Sequence, residues 1–384
     1  MTHSLGLLSN FQILRPEFES SQKDTLDWIE AAHALAEAMN LGEVEENSAF
    51  RKKLKAELYR VGCKPGIIQK RGHVISDFQH QNWQEMLIYR LKEFPQGVGL
   101  KKRQEVHSQA TDEIFEKFYQ SDESAPVNMI HVSCTGYASP SSAQKLVSKK
   151  DWGEKTAVTH VYHMGCYASI PAVRVASSFS HQSKKRSDIV HTELCSLHFN
   201  PLLHAADQLV AQSLFADGFI KYSLFSEETL ATENKPALRI VAIHEKIIPN
   251  SLDAMTWGLT EWGFHFLLMK EVPALIAKHA KEYVRALCLK ANVDEREILE
   301  SAIFAIHPGG PKILEYIQKL FGVQEKQLRH SRRILEMYGN MSSATLPHIW
   351  EAICADSAIP SKTKVLSLAF GPGLTIAGML LEKA

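Results

Sequence analysis

Four short runs rich in β-branched and aromatic residues, at 129–134, 157–163, 189–195 and 219–225, alternate with helical stretches at 171–179 and 205–214. That alternation constrains the chain most, because strands separated by helices bury their apolar faces by layering helices against a sheet. The same order resumes after a polar stretch at 226–236, where Glu227, Glu228, Thr232, Glu233, Asn234 and Lys235 carry no hydrophobic period. Strand-like runs fall at 238–244, 302–307 and 364–370, with a long apolar stretch at 264–289 and helices at 312–321, 331–338 and 344–354. An α/β protein of two halves, 1–235 and 236–384, is expected, related by element order and not by visible residue identity. Two amphipathic helices, near 20–40 and 49–61, precede the first alternating block.

With 384 residues the chain can bury a large core, and its 43 Lys and Arg balance 43 Asp and Glu. No global field therefore recruits nucleic acid or an anionic membrane, and an anionic ligand needs a local basic patch. Arg60, Lys64, Lys70 and Arg71 gather such bases around Pro65-Gly66, either as a solvated face or as a dock for a phosphorylated ligand. The six cysteines are scattered without paired short spacing, so neither a metal site nor a disulfide framework is indicated, and reduced thiols of a cytoplasmic protein are expected. The first residues lack a basic flank and a long apolar core, and no stretch reaches the ~20 apolar residues of a membrane span.

Three turns stand out. In Val161-Tyr162-His163-Met164-Gly165-Cys166, a strand-like run ends at a thiol, and the following residues take helical spacing. A thiol at a helix N-terminus meets the positive end of the helix dipole and free N–H groups, which favour thiolate and can hold an oxyanion. A lone Cys is otherwise most often a buried packing residue. In Phe304-Ala305-Ile306-His307-Pro308-Gly309-Gly310-Pro311 an imidazole ends an apolar strand, aimed by a rigid turn; in Tyr338-Gly339-Asn340-Met341-Ser342-Ser343, Asn340 falls between a helix end and an N-cap-like Ser pair. Singly, these read as a turn histidine and a helix-terminal asparagine.

Together, and with Ala211-Gln212-Ser213-Leu214-Phe215-Ala216-Asp217-Gly218, Phe266-Leu267-Leu268-Met269-Lys270-Glu271-Val272-Pro273 and Ala369-Phe370-Gly371-Pro372-Gly373-Leu374-Thr375, they resemble the type III polyketide synthases, the chalcone synthase-like family of thiolase-fold condensing enzymes, with wording closest to a bacterial type. The resemblance spans nearly the whole chain. It implies a thiolase-like fold in a layered αβαβα arrangement, a homodimer, and catalysis without metal or cofactor on an acyl-CoA starter and malonyl-CoA. It implies Cys166 as the acyl-carrying nucleophile, a thiolate paired with His307 as imidazolium. His307 and Asn340 are then donors to the malonyl thioester carbonyl during decarboxylation.

By the same resemblance Phe215 and Phe266 are gatekeepers of the cavity, Arg60 and Lys64 hold the CoA phosphates, and Gly371, Pro372 and Gly373 shape the wall beside the nucleophile. Glu193 and Ser342 match positions that polarise a water for aldol cyclisation in some relatives, Glu193 also reading as a buried structural group; Cys195 and His198 line the cavity. Two departures stand out: Glu57 replaces a basic position of the phosphate patch, and Trp257 replaces a small glycine, which fills or redirects the elongation cavity. Fatty acyl starters giving alkylpyrones or alkylresorcinols are the expected chemistry. A ketoacyl-ACP synthase III-like enzyme, making one condensation with an acyl carrier protein as partner, shares the triad. A biosynthetic thiolase is disfavoured because the 369–373 turn offers no second Cys, and a catalytically silent relative because all three triad positions are filled.

Overall fold

A computed structural model describes residues 5–43, 46–120, 124–230 and 235–384. The β-branched runs become strands of one nine-stranded sheet. Its order is Ile303–Ile306, Lys364–Gly371, Thr375–Lys383, Leu238–Ile247, Leu7–Leu14, Gly218–Phe225, Ser187–Glu193, Asn128–Ser133 and Ala157–Tyr162. From the centre outward the first half runs 1-5-4-2-3 in its own chain order, and the second runs 1-4-3-2, the same path without the outermost strand. Strand directions agree as well. Each half has two antiparallel pairings next to the centre and parallel pairing outside them.

The strand Leu7–Leu14, not anticipated from sequence, joins the halves by pairing with both Gly218–Phe225 and Leu238–Ile247. Its alternation was hidden by an irregularity: the register shifts between Ser9 and Gln12, where Asn10 takes a left-handed φ of 54°. The apolar stretch 264–289 also divides differently. Phe264–Leu268 pairs in a hairpin with Met255–Leu259, and a helix, Val272–Ala291, then starts with proline in its first turn. The helix expected at 331–338 begins at Glu325. Of the polar stretch 226–236, residues 231–234 lie outside the described residues, as do 1–4 of the N-terminal segment.

Strand alternation sorts side chains between two faces. Ile303 and Ala305 join one core cluster, while Phe304 and Ile306 join another. The first cluster takes residues from both sheet halves and encloses two central helices, Ser169–Ser183 and Thr345–Ala355. Trp350 ties the halves together: it is fully buried, its indole N–H donates to Ser367 Oγ at 2.8 Å, and its ring meets Tyr222 edge-on at 5.9 Å. Burying such a ring stabilises the fold by roughly 3 kcal/mol. The opposite faces are covered by Val272–Ala291 and Pro311–Phe321 on one side and by Gln22–Leu41 and Leu100–Phe118 on the other. The result is the expected αβαβα layering. Among the described residues no helix is long and apolar enough to cross a membrane.

Candidate active site

The strand Ala157–Tyr162 leads into a 3-10 turn, Gly165–Tyr167, just ahead of the central helix Ser169–Ser183, so Cys166 occupies the strand-to-helix corner. Gly165 is required there. Its φ is +74°, and a Cβ would come within 2.6 Å of Pro372 Cδ. Across the contact, a Cβ on Gly371 would fall 2.2 Å from Tyr167 Cδ1, so the 165–167 turn and the 371–373 turn interlock. Gly373 secures the second turn by donating its N–H to Met255 O at 2.9 Å.

Asn340 follows the helix Glu325–Tyr338. Gly339 ends the helix with a φ of 72°, a backbone conformation that glycine adopts without strain. Asn340 is fixed by its backbone, donating N–H to Leu214 O at 3.0 Å and accepting from Ala216 N–H at 2.9 Å. Its Oδ1 accepts the Ser342 N–H at 2.8 Å, and its side chain acts on the Cys166 thiol against the upward push of burial. The Ser pair does not cap the next helix as the sequence suggested. Ser342 has a φ of 48° and directs Oγ to Cys134 Sγ at 2.9 Å and Cys166 Sγ at 3.8 Å, while Ser343 donates to Glu193.

His307 stands one residue past the strand Ile303–Ile306, its N–H bound to Leu368 O at 2.8 Å. His307 makes no hydrogen bond to Cys166. Burial pushes the Cys166 thiol up to about 12, against the opposing hydrogen bonds of Ser342, Asn340 and its own N–H. Burial likewise pulls His307 down to about 3, and neither ring nitrogen meets a protein partner. Burial thus favours the neutral form of each, since it strands a charge without a counter-ion.

A cavity open at its mouth is lined by Cys166, Cys195, His198, Phe215, Trp257, Phe266, Ser342 and Pro372. The structure thus brings eight of the expected residues together around one space. Phe215 and Phe266 meet edge-to-face at 5.5 Å, a geometry that two aromatic quadrupoles favour. Trp257 is anchored by its indole N–H to Cys134 O at 2.6 Å and packs edge-on against His198 and Phe264, each at 5.7 Å. His198 accepts the Phe264 N–H at Nδ1, 3.1 Å, which leaves Nε2 to donate to Thr135 O at 2.6 Å. Burial holds it neutral, pulled down to about 3.

Glu193 lies behind the cavity wall, fully buried. It accepts from Cys134 N–H at 3.0 Å, from Thr135 Oγ1 at 3.0 Å, from the Cys134 thiol at 3.4 Å and from Ser343. Burial raises it to about 7 against these hydrogen bonds. Ser342 joins this network to the nucleophile through Cys134.

The basic patch divides. Arg60 and Lys64 are exposed, but the Arg60 guanidinium is already engaged by Glu57 at 2.8 and 2.6 Å. Lys70 pairs with Glu19. Arg71 is not on the surface at all: strand Lys70–His73, paired with Phe18–Ser21, turns it inward until it is 2% exposed and lines the cavity. His73, one alternation further on, lines it too, and nothing in the sequence separated these two from a solvated basic run. Among the described residues no group of three or more His, Cys, Asp or Glu is placed to hold a metal ion.

Residues 239–384 match the family of chalcone and stilbene synthases, C-terminal domain. A stretch of 269 residues, 69% of the chain, is 30% identical to a probable polyketide synthase 1 of Dictyostelium discoideum, of whose length the chain spans only 8%. Over 99% of both chains it superposes with a TM-score of 0.78 and 23% identity on the C-terminal type III polyketide synthase domain of Steely1, a type I/III hybrid from Dictyostelium. A polyketide synthase of the brown alga Ectocarpus siliculosus gives 0.81 at 19% identity, covering 100% of this chain and 98% of that one. The 1,3,6,8-tetrahydroxynaphthalene synthase of Streptomyces coelicolor gives 0.79 at 21%, covering 98% and 99%. The fold is thus the thiolase-like fold of type III polyketide synthases, shared along the whole chain. These relatives do not separate a bacterial type from the others.

Proposed function

We propose that the chain is a type III polyketide synthase that loads an acyl starter on Cys166 and extends it by decarboxylative Claisen condensation with malonyl-CoA, followed by cyclisation. The observation that carries this reading is a free cysteine in a cavity wall, faced by the Ser342 hydroxyl and the Asn340 amide and backed by the 371–373 turn. In the loading step the Cys166 sulfur attacks the starter thioester, the C–S bond to CoA breaks, and the thiol proton passes to His307 and on to the departing CoA thiolate. His307, with ring nitrogens free of protein partners, is suited to accept that proton once the substrate draws the two groups together. The malonyl thioester oxygen then takes hydrogen bonds from His307 and Asn340 as carbon dioxide leaves. The enolate carbon bonds to the acyl carbonyl, the C–S bond to Cys166 breaks, and the extended chain remains on CoA. Donors prepositioned in a dry site each supply about 10²–10³ in rate.

The same reading takes CoA thioesters as the only cosubstrates, a homodimer, a cytoplasmic location in keeping with six free cysteines, and two related halves, 1–235 and 236–384, supported by the shared strand path. Fatty acyl starters and alkylpyrone or alkylresorcinol products belong to it. One observation favours a second reading, a single condensation with a carrier-bound acyl group: Glu57 occupies Arg60, which weakens the site expected for CoA phosphates. Incubation with acyl-CoAs and malonyl-CoA decides between them by the product, a multiply extended chain against a single β-ketoacyl group on acyl carrier protein. Cys166→Ala is expected to abolish covalent loading by intact mass, and acylation that survives it refutes the nucleophile. His307→Ala and Asn340→Ala are expected to cut carbon dioxide release from labelled malonyl-CoA at least about 100-fold.

A further inference from the structure

The mechanism makes no use of two buried polar side chains on the cavity wall, Arg71 and His73, which are 2% and 1% exposed. Arg71 is clamped by three bonds: Nε–H to Gln22 Oε1 at 2.9 Å, and Nη1–H to Gln212 O at 2.7 Å and Phe215 O at 2.8 Å. Its Nη2 meets no protein acceptor, and both ring nitrogens of His73 lack a protein partner. The His73 ring is held in place by stacking on Phe78, 4.3 Å between centroids at an interplanar angle of 11°. Both side chains are therefore fixed in orientation yet unmet, an arrangement that buried polar groups adopt rarely and at a cost.

We propose that Arg71 and His73 form a hydrogen-bonding subsite for an acceptor oxygen carried by the acyl chain, so that the cavity selects oxygenated chains over plain hydrocarbon ones. An arginine Nη2 donates only, and a histidine held neutral by burial and by the nearby Arg71 charge offers one donor and one acceptor. Their complement is a keto, hydroxyl or carboxylate oxygen. The apolar remainder of that wall, Phe78, Phe199 and Leu203, suits the hydrocarbon that bears it. A site whose buried donors are matched by one substrate and stranded by its analogue discriminates more strongly than an apolar pocket does. The oxygen has two chemical sources: the starter itself, or the keto groups added by each extension. The inference rests on the synthase reading and names the substrate feature it selects.

The test compares an alkanoyl-CoA with its hydroxy or oxo analogue of equal length, first alone and then with malonyl-CoA, on the wild type, His73→Phe and His73→Gln. Acylation of Cys166 is read by intact mass and products by mass spectrometry. If the oxygen belongs to the starter, the wild type loads the oxygenated chain at least about tenfold faster, His73→Phe brings the ratio near one, and His73→Gln retains most of it. If it arises by extension, loading ratios stay near one, but His73→Phe changes the number of extensions made on the plain starter while His73→Gln does not. Equal loading together with an identical product series in all three proteins overturns the subsite. Melting curves control for folding, and calorimetric binding of the plain and oxygenated free acids to the wild type needs no variant. Failure of both starters to acylate Cys166 defeats the synthase reading instead, and the calorimetric comparison then decides the subsite: preference for the oxygenated acid supports it, and equal binding overturns it.

Discussion

Glu193 makes the folded state sensitive to pH in a definite direction. Burial holds its carboxyl at about 7, against an ordinary 4.5, so the fold prefers the neutral acid. Below pH 4.5 the group is protonated in both folded and unfolded chains and contributes no pH dependence. Between 4.5 and about 7 the folded chain keeps a proton that the unfolded chain has released, so stability falls as pH rises, and above 7 the loss is complete. At about 1.4 kcal/mol per pH unit the interval amounts to about 3 kcal/mol, of the order of a quarter or more of a typical domain's stability. Glu193→Gln replaces the acid with a neutral isostere and removes this dependence. Urea unfolding of both proteins, followed by far-ultraviolet circular dichroism at half-unit steps from pH 4.5 to 8, isolates the Glu193 contribution because the remaining titrating groups are shared. The two stabilities are expected to coincide near pH 4.5 and to diverge by about 3 kcal/mol by pH 7.5, with the variant the more stable. Parallel curves across that range, or a wild type that gains on the variant as pH rises, refute the reasoning.

Other perturbations follow from the same geometry. Trp257→Gly removes a ring tethered to Cys134 O and packed on His198 and Phe264; it is expected to cost about 3 kcal/mol by chemical denaturation and to lengthen the products seen by mass spectrometry. Gly165→Ala forces a Cβ to 2.6 Å from Pro372 Cδ at a φ of +74°, which should destabilise the fold by about 2 kcal/mol and slow acylation of Cys166 by intact mass. Glu57→Gln releases the exposed Arg60 guanidinium and is expected to lower the KM for malonyl-CoA about threefold at low salt, an effect that vanishes by 0.5 M salt as phosphate attraction is screened. An unchanged KM at all ionic strengths places the CoA phosphates elsewhere.

Much of the fold was legible because it depends on local pattern. The β-branched runs and the helical spacings placed the strand ends ahead of Cys166 and His307 and the helix end ahead of Asn340 to within a few positions, since strand ends and glycine turns are written in neighbouring residues. Leu7–Leu14 escaped because a bulge at Asn10 breaks the alternation that marks a strand. The turns that carry Cys166 and Asn340 meet because strands of both halves run beside the same pair of central helices, a consequence of long-range pairing that no single segment encodes.

The sequence by itself determined which side chains the turns present: a thiol after Gly165, an imidazole after Ile306, an amide after Gly339. Only the tertiary structure decided their state and company. Burial, which is a property of the assembled layers, favours the neutral forms of Cys166 and His307 and raises Glu193. The pairing of Lys70–His73 with Phe18–Ser21 turns Arg71 away from the surface and into the cavity, while Arg60 stays outside on Glu57. Residue type fixes what a group can do chemically; the dielectric and partners that select among those forms come from segments far apart in the chain.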